Sequence, residues 1–279
     1  MARRVVLPES KIRRRRRILR TRLAMLCGVL FLLLLGLAIG LSWIPYLRIK
    51  TMHSVGTETL ASTTVEEFVA KKIEGRSLFV LPRDNIVLYP KHEIEKGLLK
   101  EFPILKEAEI HADNLEAIRI EVQERHAKAL WCGASSDETE GCRLMDETGF
   151  VYSPILAGEL PPFVRYTGAA TTSPGFTSQT EPKQFVTPKE FLTLEALVDA
   201  LNQNQKQTPI VSVSVDEHYD ARITFGEGFV LLFALKDAGK DVYERFTLAL
   251  ASTPFLNKTI NDFEYLDLRF GDKLYFKQR

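Results

Sequence analysis

The sequence predicts a membrane-anchored α+β protein. The predicted order is an N-terminal transmembrane helix, a strand-helix-helix-strand-strand domain, and a mainly antiparallel β domain with two helices. Three observations support this: an arginine-rich start precedes nineteen apolar residues, apolar positions then recur with a helical period, and the period changes to two after Pro103. A chain of 279 residues has room for roughly two domains.

Composition indicates a globular chain, with 45% hydrophobic and 10% aromatic residues. Lys and Arg total 37 against 36 Asp and Glu, a net charge of +1. Nucleic-acid binding by the whole molecule is not expected, because it needs a basic face for phosphate contacts.

Residues 1–22 form a basic tail in which Arg13 to Arg17 are consecutive and only Glu9 is acidic. Residues 23–41 carry no charged or amide side chain and continue into Trp43 and Tyr46, so we predict a transmembrane helix over 23–44. A signal peptide cleaved near residues 38–40 is the alternative, but its apolar region is usually shorter.

The arginine-rich tail predicts a cytoplasmic N-terminus, with everything after Tyr46 outside the cytoplasm. A lipid site or a cytoplasmic-partner site is a second interpretation of these arginines. Cys27 lies in the apolar span as a small hydrophobe. In an extracytoplasmic compartment, Cys132 and Cys142 predict a disulfide rather than a metal site, because zinc usually takes four ligands at closer spacing.

The first exterior domain is predicted over residues 47–125. A strand over 47–54 ends at Gly56, and the next helix has Thr63 and Glu66 in capping-box spacing. A second helix covers HEIEKGLLKEF, and the intervening 76–90 is expected to be a packed loop. Two strands with period-two alternation follow, joined by a turn at Asp113-Asn114.

The second domain is predicted over residues 126–279. Four strands form a meander, from AKALWC through CRLMD and GFVYS to PPFVRY. Residues 169–183 are polar and predict a flexible loop. The remainder predicts an amphipathic helix (FLTLEALVDALNQ), three strands, a second helix (KDVYERFTLALA) and two closing strands.

This order resembles the FtsQ/DivIB family of bacterial division proteins. The matching segments are EFPILKEAEI, IRIEVQERHAKALW, LMDETGFVY and YLDLRFGDKLYFK, in that order, together with the strand that ends at Gly56. The resemblance implies a POTRA domain over 47–125 and a non-enzymatic scaffold of the division septum. The implied partners are the membrane proteins FtsB and FtsL, and through them the septal wall synthases, with no cofactor and no small-molecule substrate. The long segment at 76–90 and the cysteine pair depart from the family pattern.

Motifs of enzymes give little support to a catalytic function. G-x-S-x-G, a Walker loop and H-E-x-x-H are absent, and the five histidines are scattered. His218 and Asp220 beside a distant serine are a weak triad candidate, and Asp137, Glu138 and Glu140 lack the ligand spacing of calcium loops. A membrane-anchored enzyme with an unrecognised site, or a POTRA protein of polypeptide export, are the alternatives. The second would be expected to carry repeated units.

The closing segment carries the candidate binding residues. We expect Leu266, Leu268 and Phe270 to share the core face, and a three-residue loop, 271–273, to bring Leu274 and Phe276 to the same face. The opposite face would then carry aromatic and charged residues: Tyr265, Asp267, Arg269, Tyr275 and Lys277. An exposed final strand favours strand addition by a partner. The resemblance places FtsB docking at Lys273 to Lys277.

Overall fold

A computed structural model describes residues 11–77, 81–133, 141–154, 162–168, 183–205 and 208–279. The residues predicted to start the basic tail (1–10), the acidic cluster at 137–140 and most of the predicted flexible loop (169–182) lie outside these ranges. The chain divides into two compact units, Met1–Glu124 and Arg125–Arg279.

The N-terminal helix α1 runs from Lys11 to Ser42. Its segment Leu19–Ser42 is 24 residues long with a mean hydropathy of 2.7. At 1.5 Å per residue this length is sufficient to cross a bilayer, and none of its most apolar stretch is buried in the isolated chain. Such a surface is stable in lipid rather than in water, so α1 indicates a membrane anchor, as the sequence predicts.

The rest of the first unit has a strand-helix-helix-strand-strand order with a short ribbon inserted. The elements are β1 (Thr51–Val55), α2 (Ser62–Ile73), β2 (Arg76–Ser77), β3 (Leu81–Pro82), α3 (Lys91–Glu101), β4 (Leu105–Ala112) and β5 (Ala117–Glu124). Strand β5 lies in the middle of the sheet, parallel to β1 and antiparallel to β4, while β2 and β3 pair separately. Val65 of α2, Leu98 of α3 and Ile120 of β5 share one buried core.

Three local predictions for this unit are wrong. The first strand begins at Thr51, because residues 45–47 form a 3-10 turn. Helix α2 has Ala61 at its N-cap with no side-chain cap; Glu66 instead accepts hydrogen bonds from the amide and the hydroxyl of Ser54. The segment expected to be a loop contains β2 and β3. The turn at 45–47 and the β2–β3 ribbon are local structures that the pattern did not indicate, whereas Glu66 bonds to a residue twelve positions away.

The second unit is built on a ten-stranded sheet. Its elements are β6 (Ala127–Trp131), β7 (Arg143–Asp146), β8 (Phe150–Pro154), β9 (Arg165–Gly168), β10 (Lys183–Gln184), α4 (Pro188–Asn204), β11 (Ile210–Val215), β12 (Asp220–Phe225), β13 (Val230–Ala234), α5 (Lys240–Leu250), β14 (Phe263–Phe270) and β15 (Lys273–Gln278). The strand order is β10-β8-β7-β6-β9-β11-β12-β13-β14-β15. Helices α4 and α5 share a core with the sheet, through Phe191 and Phe246 among others.

The sheet is mixed, which corrects the predicted antiparallel meander. Strand β9 does not follow β8 but lies between β6 and β11, parallel to both. In that position Tyr166 is fully buried and its hydroxyl donates a hydrogen bond to Glu195 of α4. Strands β13 and β14 are also parallel, because residues 235–262, which include α5, connect them as a crossover.

Candidate functional site

Strand β15 forms one end of the ten-stranded sheet. Among the residues described, β14 is its only strand neighbour, paired antiparallel from Phe263↔Gln278 to Phe270↔Lys273. The side of β15 away from β14 is therefore a sheet edge, whose main-chain groups can pair with a further strand. All the candidate binding residues of the closing segment lie on this hairpin.

The hairpin turn has two residues, Gly271 and Asp272, so the expected three-residue loop is wrong. The register passes from Asp267↔Tyr275 to Phe270↔Lys273, a step of three residues on β14 against two on β15. This irregularity is a bulge, and it inserts one extra residue in β14. The bulge changes the parity as the longer loop would have done.

The bulge also moves Phe270 away from the face expected for it. Phe270 is 54% exposed, and its ring packs edge-on against Tyr275 with centroids 5.2 Å apart. These two rings line a shallow depression of about 400 Å³ whose other walls are Leu232, Tyr265, Asp267 and Arg269. Four predicted site residues therefore lie together, with Phe270 and Leu232 as additions.

Arg269 lies between two carboxylates at the depression. One guanidinium nitrogen lies 2.7 Å from Asp220 of β12, and a second lies 2.7 Å from Asp267. Burial alone would raise the pKa of the Asp267 carboxyl, but hydrogen bonds from the side chain and amide of Arg269 lower it below its ordinary value. Hydrogen bonds to Asp267 and Asp220 raise the pKa of Arg269. The two ion pairs of Arg269 fix its side chain between β12 and β14 at the wall of the depression.

The other predicted site residues have different orientations along β15. Leu274 is half-buried and packs against the core of the second unit. Phe276 is 38% exposed, with its ring centroid 5.0 Å from that of Phe255. Lys273 is exposed, and the ammonium of Lys277 lies 2.8 Å from Glu264. Tyr275 and Phe276 thus present aromatic rings on opposite faces of the edge strand.

Two arginines hold the hairpin in place, and the sequence pattern indicated neither. The guanidinium of Arg245 on α5 donates to the carbonyl oxygen of Leu268 at 2.8 Å and also to that of Gly271. At the other end, the amide of Arg279 donates to Asp262, and its side chain donates to the carbonyl of Glu227 at 2.6 Å. Each arginine reaches a carbonyl distant in sequence, so no local motif could have identified it.

A second feature of this unit is the disulfide between Cys132 and Cys142, whose sulfurs are 2.06 Å apart. Both cysteines are buried and form a small apolar cluster with Leu130, beside Leu144 and Phe163. The bond closes a loop between the ends of β6 and β7. It is distant in the sheet order from β15.

Other chemical sites receive little support from the geometry. Within the ranges that the structure describes, no three His, Cys, Asp or Glu residues are grouped closely enough to hold a metal ion. In the weak triad candidate, the carboxylate of Asp220 forms an ion pair with Arg269. The backbone amides of Asp220 and His218 both donate to the Asp216 side chain in the same turn.

The sequence matches no protein-family model, and no curated protein matches it at a level that indicates kinship. The fold and the β15 edge are therefore the observations from which a function can be argued.

Proposed function

We propose that this protein is a non-enzymatic scaffold of the FtsQ/DivIB type, anchored in the cell membrane with its N-terminus in the cytoplasm. In this proposal the first unit is a POTRA domain, and the second unit binds FtsB-like and FtsL-like membrane proteins at the division septum. The protein links those partners to septal wall synthesis by binding, without making or breaking covalent bonds.

Several features support the proposal. The resemblance implies one membrane helix followed by a strand-helix-helix-strand-strand domain and a β domain that ends in strands. Helix α1, the β1-β5-β4 sheet with α2 and α3, and the β14–β15 hairpin fit that order. A basic segment before an apolar helix favours the cytoplasmic N-terminus.

The β15 edge is the single observation that carries the binding function. Tyr275 is 49% exposed on one face of the strand and Phe276 is 38% exposed on the other. An added strand would form main-chain hydrogen bonds with β15, and its alternating side chains would contact these rings in turn. The depression beside Arg269 gives that strand a place for a bulky side chain.

Binding of an FtsB-like partner by the full-length chain in detergent or nanodiscs tests the proposal. Tyr275→Asp and a chain lacking Asp272 to Arg279 should both lose capture, because one introduces charge at the edge and the other removes the strand. Leu192→Asp is the matched control, since Leu192 is 54% exposed on α4 in the same unit and should leave capture unchanged.

Undiminished capture by a folded chain without those eight residues would overturn the assignment to β15. The partner would then have to bind elsewhere, and the edge of the first sheet at β1, in the region of Arg48 to Ser54, would be the next surface to test. Strand β1 also has a strand neighbour on one side only in the described sheet.

A further inference from the structure

One buried side chain connects the end of α1 to a turn of the first unit. The side-chain nitrogen Nδ2 of Asn85 donates to the backbone carbonyl oxygen of Ser42, the last residue of α1, at 2.9 Å. The amide oxygen of Asn85 accepts a hydrogen bond from the backbone amide of Val87, also at 2.9 Å. Asn85 is 1% exposed, and its bond to Ser42 is shielded from water.

Backbone hydrogen bonds fix the same turn to the segment that leaves the helix. The amide of Ile86 donates to the carbonyl of Leu47, and the amide of Ile49 donates to the carbonyl of Asp84, both at 2.8 Å. We call residues 84–89 the helix-end turn. Its position is set by the end of α1 rather than by the sheet alone.

The helix-end turn exposes apolar side chains beside an apolar helix. Val87 is 73% exposed and Leu88 is 46% exposed, while Trp43 and Tyr46, just past the helix, are 40% and 73% exposed. Contiguous exposed apolar patches mark surfaces that contact a partner or a membrane, whereas scattered exposed apolar residues do not. Tryptophan and tyrosine are enriched where a helix leaves the bilayer.

A second apolar tip lies at the same end of the unit. Strand β1 is parallel to β5, so the turn before β5 is next to the start of β1. The carbonyl of Glu116 in that turn accepts a hydrogen bond from the amide of Lys50 at 2.8 Å, and the neighbouring Leu115 is 60% exposed.

The charged side chains at this end form ion pairs. Arg48 lies 2.6 Å from Asp84, Lys50 lies 2.6 Å from Glu116, and Arg83 lies 2.8 Å from Glu93. Each of these three cations has an acidic neighbour, and a fourth, Arg76, lies over the Trp43 ring. Attraction to anionic headgroups is therefore a secondary contribution, and the apolar side chains supply most of the affinity for a membrane.

We propose that the helix-end turn docks into the interface of the same bilayer that α1 crosses, with Val87 and Leu88 inserted at the boundary between headgroups and acyl chains. Leu115 would lie at the same surface. The bilayer is the occupant because the exposed patch continues directly from the end of the apolar helix. The first unit would therefore be held at the membrane at two points instead of turning freely about one. The inference rests on the membrane anchoring in the proposed function and is independent of partner binding.

Depth-dependent quenching in the full-length chain tests this docking. With Cys27 replaced by serine and the disulfide intact, single cysteines at position 87, 55 or 30 would each carry an environment-sensitive fluorophore. The chain would be reconstituted in phosphatidylcholine nanodiscs containing lipids with shallow or deep quenchers. Val55→Cys is the matched control: Val55 is 46% exposed at the opposite end of β1, and Leu30→Cys reports on α1 itself.

We expect the probe at position 87 to lie about 5–10 Å below the membrane surface, so the shallow quencher should remove most of its emission. The probe at position 55 should lose none of its emission. The quenching should persist in about 0.5 M salt, where the Debye length is only a few ångströms. Quenching at 30 with none at 87 would overturn the docking and leave the anchor intact. No quenching at position 87 or 30 would overturn both the docking and the membrane anchoring. Partner binding is tested by the separate capture experiment, so the two failures can be distinguished.

Discussion

The guanidinium of Arg245 lies 2.8 Å from the carbonyl oxygen of Leu268, a residue on β14 next to the point where the strand carries its extra residue. A bulge leaves some main-chain groups without a partner in the adjacent strand. Here Arg245 of helix α5 donates to the carbonyl oxygen of Leu268 and also to that of Gly271 in the turn. The conformation of the β15 edge therefore depends on a side chain of a packed helix.

Replacing Arg245 by methionine should loosen the β14–β15 hairpin. Methionine preserves much of the packing but cannot donate to the two carbonyls, at a cost of about 1–3 kcal/mol. Hydrogen exchange of the β15 amides that face β14 should accelerate, and capture of an FtsB-like partner should weaken. Arg222→Met, at an exposed position on β12, is the control for exchange. Unchanged protection in Arg245→Met would show that the turn holds itself.

The second prediction concerns Glu124, whose buried carboxylate accepts hydrogen bonds from the amides of Glu58, Thr59 and Leu60 and from the hydroxyl of Thr59. Burial raises the pKa of Glu124, but these donors together lower it below its ordinary value. A lowered folded-state pKa stabilises the fold above the unfolded-state pKa, about 4.3, and this stability is lost as the pH falls through the folded-state value.

Protection of the Thr59 and Leu60 amides should therefore decline as the pH falls from about 5 to below the unfolded-state pKa of about 4.3, after correction for intrinsic exchange. Glu124→Gln should reduce the opening free energy of this loop at pH 7 by about 2 kcal/mol and flatten its pH dependence. Glu121→Gln, at an exposed position on the same strand, should change neither quantity. A wild-type profile that is flat over this pH range would contradict the assignment.

Two glycines of the first unit allow a matched test of steric fit. Gly56 and Gly75 have φ values of +88° and +89°, but a Cβ atom on Gly56 would lie 2.0 Å from the carbonyl oxygen of Val122, while one on Gly75 would meet nothing within 4 Å. Gly75→Ala should cost only the left-handed conformation, about 1–2 kcal/mol. Gly56→Ala should cost clearly more, because β1 must move from β5. Exchange of the Ile118 and Ile120 amides measures both, and equal losses would refute the steric account.

The disulfide provides a prediction for the second unit. Cys132 and Cys142 are ten residues apart, so the chain-entropy model gives a stabilisation of about 2–3 kcal/mol. The double variant Cys132→Ser/Cys142→Ser should lower the resistance of the second unit to pulse proteolysis in urea by that amount, whereas Cys27→Ser should not. Two free thiols titrating at these positions in the unreduced, unfolded chain would exclude the bond.

The direction of the membrane crossing is tested by reporter fusions. A reporter that is active only outside the cytoplasm should work when it follows Arg279 and should fail when it precedes Leu23, because the basic residues before α1 favour the cytoplasmic side. The opposite pattern would overturn the proposed localisation and, with it, the site of partner binding.

Sequence patterns predicted the elements whose signals are local. The apolar span appears as the membrane-length part of helix α1, and apolar residues of α2 and α3 join Ile118, Ile120 and Val122 in the buried core of the first unit. Strand pairing was harder, since nothing in residues 162–168 shows that β9 joins β6 and β11 in parallel. Such pairing is decided by packing between distant segments.

The candidate site shows the same division. Alternation brought Tyr265, Asp267 and Tyr275 to one face, but a bulge has no sequence signature here, so Phe270 was assigned to the wrong side. Asp220 lies 49 residues before Arg269, and Arg245 lies 23 residues before Leu268. Only the folded sheet and helix bring these groups into contact.

The extra residue in β14 affects how this hairpin can be aligned with other β-hairpins. A hairpin with a regular β14 and a three-residue loop would present the same faces as this one, with its irregular strand and the two-residue turn at Gly271 and Asp272. A deletion at one place can thus be compensated by an insertion a few positions away. A sequence alignment of the two hairpins without gaps would then match Phe270, which faces the depression, with a residue that faces the core in the regular hairpin. Equivalent positions in this hairpin have to be assigned by which side of the sheet they face.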